Sequence, residues 1–359
     1  MLLFREIYKL PIHYIFFLYF IIFFIKFSTA SNSSEVYKID KIELSEKFDL
    51  NFSKDKIINK AFNIAFKELV SKITISTDSE KLKKINSLEI KNLVESFVIV
   101  DEKFINDNYI ANFEVEFNKN NFNHLLEKNN IFPSIPIKKN MFVIPILIRN
   151  NQYKASLFSE NPFYLNWNNN EKKHFLIKYI LPNEDIEDIN IIRENFDEIE
   201  NYNFKKIINK YDLNDFIIIV FYENQLELNV LSKLYINKSY RILNSRFNNF
   251  YISDLNLVDS IINNLKTTYE NEWKKINQIN SSINLTLTLA IDSSNHLLIN
   301  KLEKKLLELD LVSNYYIDKF SKQETIYKIT YNNTPDKFIK EITSSGFNLD
   351  TSSKTWLIK

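Results

Sequence analysis

A chain of 359 residues that contains one glycine, Gly346, has to make almost every bend with residues that carry a Cβ. Loops that cradle phosphates, nucleophile elbows and dinucleotide-binding turns rely on residues without a Cβ, which let backbone N–H groups approach a ligand or take a positive φ. None of these sites can be built here in its usual form, and no cofactor is expected. Part of the poverty is compositional: lysine outnumbers arginine 41 to 5, and asparagine, isoleucine and phenylalanine abound, as in an AT-rich coding sequence. The exclusion stands all the same, because a glycine required by backbone sterics is kept whatever the base composition.

The first thirty residues read as an export signal. Arg5 and Lys9 supply a positive start, Tyr14 to Ile25 form an unbroken apolar run, and Ser28-Thr29-Ala30 places small residues before a cleavage point at Ser31. The run is shorter than the roughly 20 apolar residues a helix needs to cross a bilayer. Residues 1–30 are therefore expected to be removed, leaving a periplasmic protein. The alternative is a marginal span over residues 12–30, retained as an inner-membrane anchor. The chain has no cysteine, so neither a disulfide nor a lipid-modified cysteine can follow the signal. Loss of the first thirty residues takes the formal charge from +1 to −1. A near-neutral product with lysine and glutamate interleaved gives no basic face for nucleic acid, and none is expected as partner.

The remainder divides by pattern into an N-terminal α+β domain at 31–137, a central α/β domain at 138–250, a connecting helix at 251–281 and a C-terminal domain at 282–359. In the first, Val36 to Ser45 suits a strand, and Ser53 is expected to cap a helix with Ile57, Ala61, Phe62, Ala65, Leu69 and Ile73 at helical spacing. A second helix is expected over 79–95, then a hairpin turning at Asn106-Asp107-Asn108 and a helix capped by Asn118 or Asn120. In the second, Met141–Ile148 and Phe216–Tyr222 read as strands buried on both faces, with helices near 182–196 and 202–211 between them and a hairpin turning at Asn237-Lys238 after them. Leu257, Ile261, Leu265, Tyr269 and Trp273 form one face of the connecting helix. The last domain reads β-α-β-β-α-β, the order of a ferredoxin-like sandwich, with Pro335 in the first turn of its second helix, Gly346 ending that helix, and Phe347–Ile358 returning as strand. The fold class expected is α+β, three small layers in series.

The helix Ala61-Phe62-Asn63-Ile64-Ala65-Phe66-Lys67-Glu68-Leu69-Val70-Ser71-Lys72-Ile73-Thr74 and the hairpin-helix from Ser96 to Leu126 resemble a family of exported Gram-negative proteins catalogued as domain of unknown function 2066. Ser96-Phe97-Val98, Phe113-Glu114-Val115-Glu116-Phe117 and His124-Leu125-Leu126 carry the likeness. Ile137–Ile148 and Leu181-Pro182-Asn183-Glu184-Asp185-Ile186-Glu187-Asp188 extend it to about Phe250. Ile75 stands where the family pattern has glycine. The resemblance implies an envelope protein and no assigned chemistry.

Candidate chemistry is sparse. His13, His124, His174 and His296 are isolated, with no second ligand at helical spacing, so no metal site is expected. Glu184, Asp185 and Asp188 follow Pro182. Glu184 and Asp188, four apart on a helix, would share a face and could hold a cation or do acid–base work, or the acidic group could simply stabilise the start of a helix at Pro182. Asn161 and Trp167 bound the aromatic stretch Asn161-Pro162-Phe163-Tyr164-Leu165-Asn166-Trp167, which suits stacking on a sugar or gripping a peptide, or a capped helix with Phe163 and Trp167 facing the core. The leading expectation is a non-enzymatic envelope module that binds another protein or a wall or membrane component. The alternatives are an envelope hydrolase using Asp185 and Asp188, and a small-ligand binding protein with a pocket between the central and C-terminal domains.

Overall fold

The computed structural model describes residues 36–149, 154–169, 172, 175–279 and 284–359. The expected export segment and His174 lie outside them. The fold is α+β, built on three separate sheets, in two compact units: Lys41–Ile283, and Asn284–Lys359 taken with the residues up to Asp40.

Asparagine and aspartate make the bends that glycine makes elsewhere. Of ten non-glycine residues at positive φ among the described residues, six are Asn106, Asp107, Asn130, Asp212, Asn237 and Asn249, whose short polar side chains tolerate the left-handed region. Asn106-Asp107 and Asn237-Lys238 each have two positive φ values and close two-residue hairpins, as a type I′ turn requires.

Strand β1 (Lys38–Lys47) leads into the larger unit, which continues with α1 (Lys54–Ile73), where Ser53 sits at the N-cap position but its side chain makes no capping bond, and α2 (Ser76–Lys81), then α3 (Ser87–Leu93), the hairpin β2 (Val94–Ile105) and β3 (Asn108–Phe117), and α4 (Lys119–Lys128). The sheet order is β1-β3-β2. Tyr109, Ala111, Phe113, Val115 and Phe117 alternate inward from β3, and Phe66 of α1 meets Phe117 and Phe122. The single helix expected over 79–95 is broken. Asn86 accepts from the Leu88 and Glu89 N–H groups while Glu89 reaches back to the Asn86 N–H, a capping box that restarts the helix as α3.

The second layer contains β4 (Lys139–Arg149), β5 (Lys154–Ser156), α5 (Pro162–Asn166), β6 (Ile177–Ile180), α6 (Ile186–Glu194), α7 (Lys205–Ile208), the meander β7 (Phe216–Asn224), β8 (Glu227–Ile236) and β9 (Ser239–Asn248), and α8 (Leu255–Ile276). Its sheet runs β5-β4-β7-β8-β9, with β6 also pairing with β4. β4 is parallel to β7 and to β6 and is buried on both faces, which explains its unbroken apolar run. Met141, Val143 and Leu147 pack with α5 and α8, while Phe142, Ile144, Ile146 and Ile148 pack with α6 and α7.

The helix read from sequence as a connector, α8, is built into both layers of this unit. Ile261, Leu265, Tyr269 and Trp273 bury against the six-stranded sheet, joined by Val258 and Ile262. Beyond the sheet, Asn271 exchanges hydrogen bonds with the Ser76 N–H and Oγ at 2.8 Å each. Trp273 Nε1 donates to the Ile137 carbonyl at 2.7 Å, and Lys274 donates to the Ser71 carbonyl.

The C-terminal unit holds β10 (Leu285–Asp292), α9 (His296–Glu308), β11 (Val312–Phe320), β12 (Glu324–Tyr331), α10 (Pro335–Ser344), β13 (Leu349–Asp350) and β14 (Trp356–Ile358), in the sheet order β11-β12-β10-β14-β13. The strand expected over 347–358 is two short strands. β13 runs as a chain returning from α10 would, but Asp350 caps a reversal by accepting from Ser352, and β14 then lies parallel to β10. Gly346, at φ +82°, ends α10 as expected: its N–H donates to the Thr343 carbonyl at 3.0 Å and the Phe347 N–H to the Ile342 carbonyl at 3.4 Å, the pattern of a Schellman cap.

Candidate functional site

The fold brings the five residues singled out in the sequence to one layer, where Asn161, Glu184 and Asp185 spend their polar atoms on structural bonds and Trp167 Nε1 and Asp188 Oδ2 are buried without a hydrogen-bond partner. Asn161 is fully buried; its amide donates to the Pro145 carbonyl of β4 at 3.0 Å and its oxygen accepts from the Phe163 N–H, so it caps α5 and ties it to the sheet. Trp167 is fully buried in the core beside Tyr179, with ring centroids 5.8 Å apart. Phe163 stacks on Phe221 at 3.8 Å. The aromatic stretch is thus a capped helix facing inward, with neither Asn161 nor Trp167 at a surface.

The acidic group also departs from a single helical face. The helix begins at Ile186 and not at Pro182, because Asp185 in extended conformation accepts from the Glu187 N–H and caps it. Glu184 therefore lies outside the helix, where its carboxylate accepts from the Ser159 N–H at 3.0 Å. Asp185 and Asp188 do meet, on Lys210: its Nζ donates 2.7 Å bonds to both. That ammonium holds the Asp185 carboxyl below the usual carboxylate range. Asp188 is 1 % exposed, with Oδ1 on Lys210 and Oδ2 unpartnered, and it lines a small void with Phe158, Pro182 and Ile207. The void there is about 10 Å³, the scale of one water. Phe158 beside it sits at φ +46°, a strained conformation for a bulky side chain. Among the described residues no three histidine or carboxylate side chains converge on a point that could hold a metal ion.

A roomier cavity, about 500 Å³, lies at the other end of β4, inside the same unit. Lys138, Lys139, Lys172, Lys178 and Lys266 line it, with Phe175 and Tyr179. Register explains the clustering: the start of β4 pairs in parallel with β6, setting Lys139 beside Ile177 and Asn140 beside Lys178. Lys139 is paired with Asp215. Lys266 of α8 is 1 % exposed and lies 5.3 Å from the Tyr179 ring centre and 5.9 Å from that of Trp167, where ring faces favour a cation. Glu270, one turn further along α8, accepts the Leu176 and Ile177 N–H groups at 2.9 and 2.7 Å and so fixes β6 to the helix. Burial raises its carboxyl above the ordinary value, and burial likewise raises the Tyr179 phenol and lowers the Lys274 ammonium.

Sequence reasoning missed this cavity, because lysines are so frequent that five more carry no signal, and because Lys266 and Glu270 are more than eighty residues from the strand they serve. The one legible hint is a Lys and a Glu, four apart, beside the apolar stripe of a long amphipathic helix. No family model matches the chain, and no curated protein matches it.

Proposed function

We propose that the chain is an exported, non-enzymatic binding module whose partner is an envelope protein presenting an extended segment. The observation that carries the reading is β2. It is a twelve-residue strand at the edge of its sheet, with Phe97, Val98, Val100, Phe104 and Ile105 between 41 % and 61 % exposed. Long apolar edges are normally shortened, charged or covered, since their open N–H and C=O groups recruit further strands, and an added strand is a recurrent mode of peptide recognition. The other sheets repeat the motif: β9 leaves Tyr240 and Ile242 exposed at its edge, and β11 leaves Tyr316, Ile317 and Phe320.

Export rests on the pattern of residues 1–30, and the envelope setting on the resemblance to domain of unknown function 2066. The C-terminal unit we read as a variant of the ferredoxin-like sandwich, supported by the order β14-β10-β12-β11, with the direction of β14 as its departure. Against the hydrolase reading, Asp185 and Asp188 share one lysine, Asp185 is spent on a helix cap, and Asp188 is buried. A photo-crosslinking side chain at position 98, expressed in the native envelope, should give a discrete adduct that Val100→Lys abolishes without lowering the melting temperature. Labelling of no defined protein would refute the reading.

A further inference from the structure

The cavity at the start of β4 collects charge that the packing of the sheet does not require. Its five lysines come from the segment before β4, from β4 and β6, from Lys172 and from α8. Of these, Lys139 is neutralised by Asp215, whereas Lys138, Lys172 and Lys178 have no carboxylate within ion-pair distance among the described residues. Lys138, Lys172 and Lys178 are exposed, Lys172 with its ammonium 5.5 Å from the Phe175 ring centre, while Lys266 is held deep in the wall between aromatic faces. A concave wall of one sign focuses its field into the cleft and raises the local concentration of counter-ions. The volume, about 500 Å³, falls in the range of small-molecule sites, and Phe175 and Tyr179 offer an apolar face beside the charges.

We propose that this cavity binds a small phosphate-bearing anion, its charge placed among Lys138, Lys172 and Lys178 with Lys266 behind them. Lysine is a compact, strongly hydrated point charge suited to the charge density of phosphate, whereas planar carboxylates are matched best by the arginine fork, which this wall lacks. The phosphate could belong to a soluble ester or to a phospholipid headgroup.

The test uses the full chain and two probes: calorimetric titration with inorganic pyrophosphate, and flotation with phosphatidylcholine vesicles made with or without phosphatidylglycerol. The cavity variant is Lys138→Glu with Lys178→Glu, and the control, Lys91→Glu with Lys205→Glu, makes the same charge change at exposed sites elsewhere. The wild type should bind pyrophosphate, or float only with the anionic vesicles. The cavity variant should bind about tenfold more weakly, the sum of two reversed surface ion pairs, and the control should match the wild type. Pyrophosphate binding assigns a soluble ester, and flotation without it assigns the headgroup. Binding of neither probe, or equal loss in cavity variant and control, overturns the proposal. Should the cavity variant melt early, Lys138→Gln with Lys178→Gln is read by the same criteria.

Discussion

Glu270 gives the sharpest test of how the larger unit is assembled. Its Oε1 is the acceptor for the Leu176 and Ile177 N–H groups, both buried. Glu270→Ala leaves two buried donors without an acceptor, at about 1–3 kcal/mol each, and the relief of a desolvated carboxylate offsets part of that; a net loss of about 2–4 kcal/mol is expected. For a unit of this size that lowers the melting temperature by about 5–10 °C. Glu270→Gln keeps a carbonyl for both donors and should stay within about 1 kcal/mol of the wild type.

The two variants also separate by pH. Because burial raises the folded-state carboxyl above its unfolded value of 4.5, the stabilising effect of the protonated form is complete below that pH and is lost as pH rises through the folded value. Lys274, close enough to favour the ionised form, is the charged neighbour that modulates it, while the Tyr179 phenol stays neutral throughout. Wild type should therefore lose ground to Glu270→Gln as pH rises above the unfolded carboxyl value, a difference set by one carboxyl. The assay is thermal unfolding followed by circular dichroism across that range, with hydrogen exchange at Leu176 and Ile177. If Glu270→Ala melts within about 2 °C of Glu270→Gln, and both amides stay protected, the two bonds do not hold β6 to α8 and the reasoning fails.

Asp188→Ala should cost about 2 kcal/mol in urea unfolding, less than a fully buried pair because Lys210 keeps Asp185 and is one-third exposed; no change would mean that the Asp188–Lys210 pair contributes nothing. Trp167→Ala should cost about 3–5 kcal/mol by the cavity it leaves, and a loss under about 1 kcal/mol would contradict its full burial. Lys238→Gly, at φ 66° in a two-residue turn, should raise stability by about 0.5–1 kcal/mol, read as a shift in the denaturation midpoint. Gly346→Ala should lower it by about 1 kcal/mol through the positive φ, since the added Cβ meets only the end of Lys301 at 3.4 Å.

Periodicity made the elements legible where one rule governed the residue. The stripe of α8, the alternation of β3 and both I′ turns follow from local sequence, as does the Gly346 cap. Boundaries failed where a single polar side chain redirected the backbone: Asn86 splits one helix, Asp185 delays another, and Asp350 folds a strand in two. The site was opaque for another reason. Asn161 and Asp188 look available in sequence because polarity is visible there and burial is not. Lys266 and Glu270 drew no notice in the sequence because the strand they contact is named only by tertiary structure. The further contacts of α8 were hidden in the same way: its apolar face was visible, but Asn271 and Lys274, which reach Ser76 and Ser71, carry no local mark.

The position of α8 has a consequence for the growing chain. β4 is complete at residue 149, yet the helix that covers one of its faces ends at residue 276. At about 5–20 residues per second the ribosome leaves that face waiting for roughly 6–25 s. Until α7 is complete at residue 208 both faces of this strand are open, and the face that α8 covers stays open to the end of the interval, so a nascent chain exposes apolar surface that the finished protein buries.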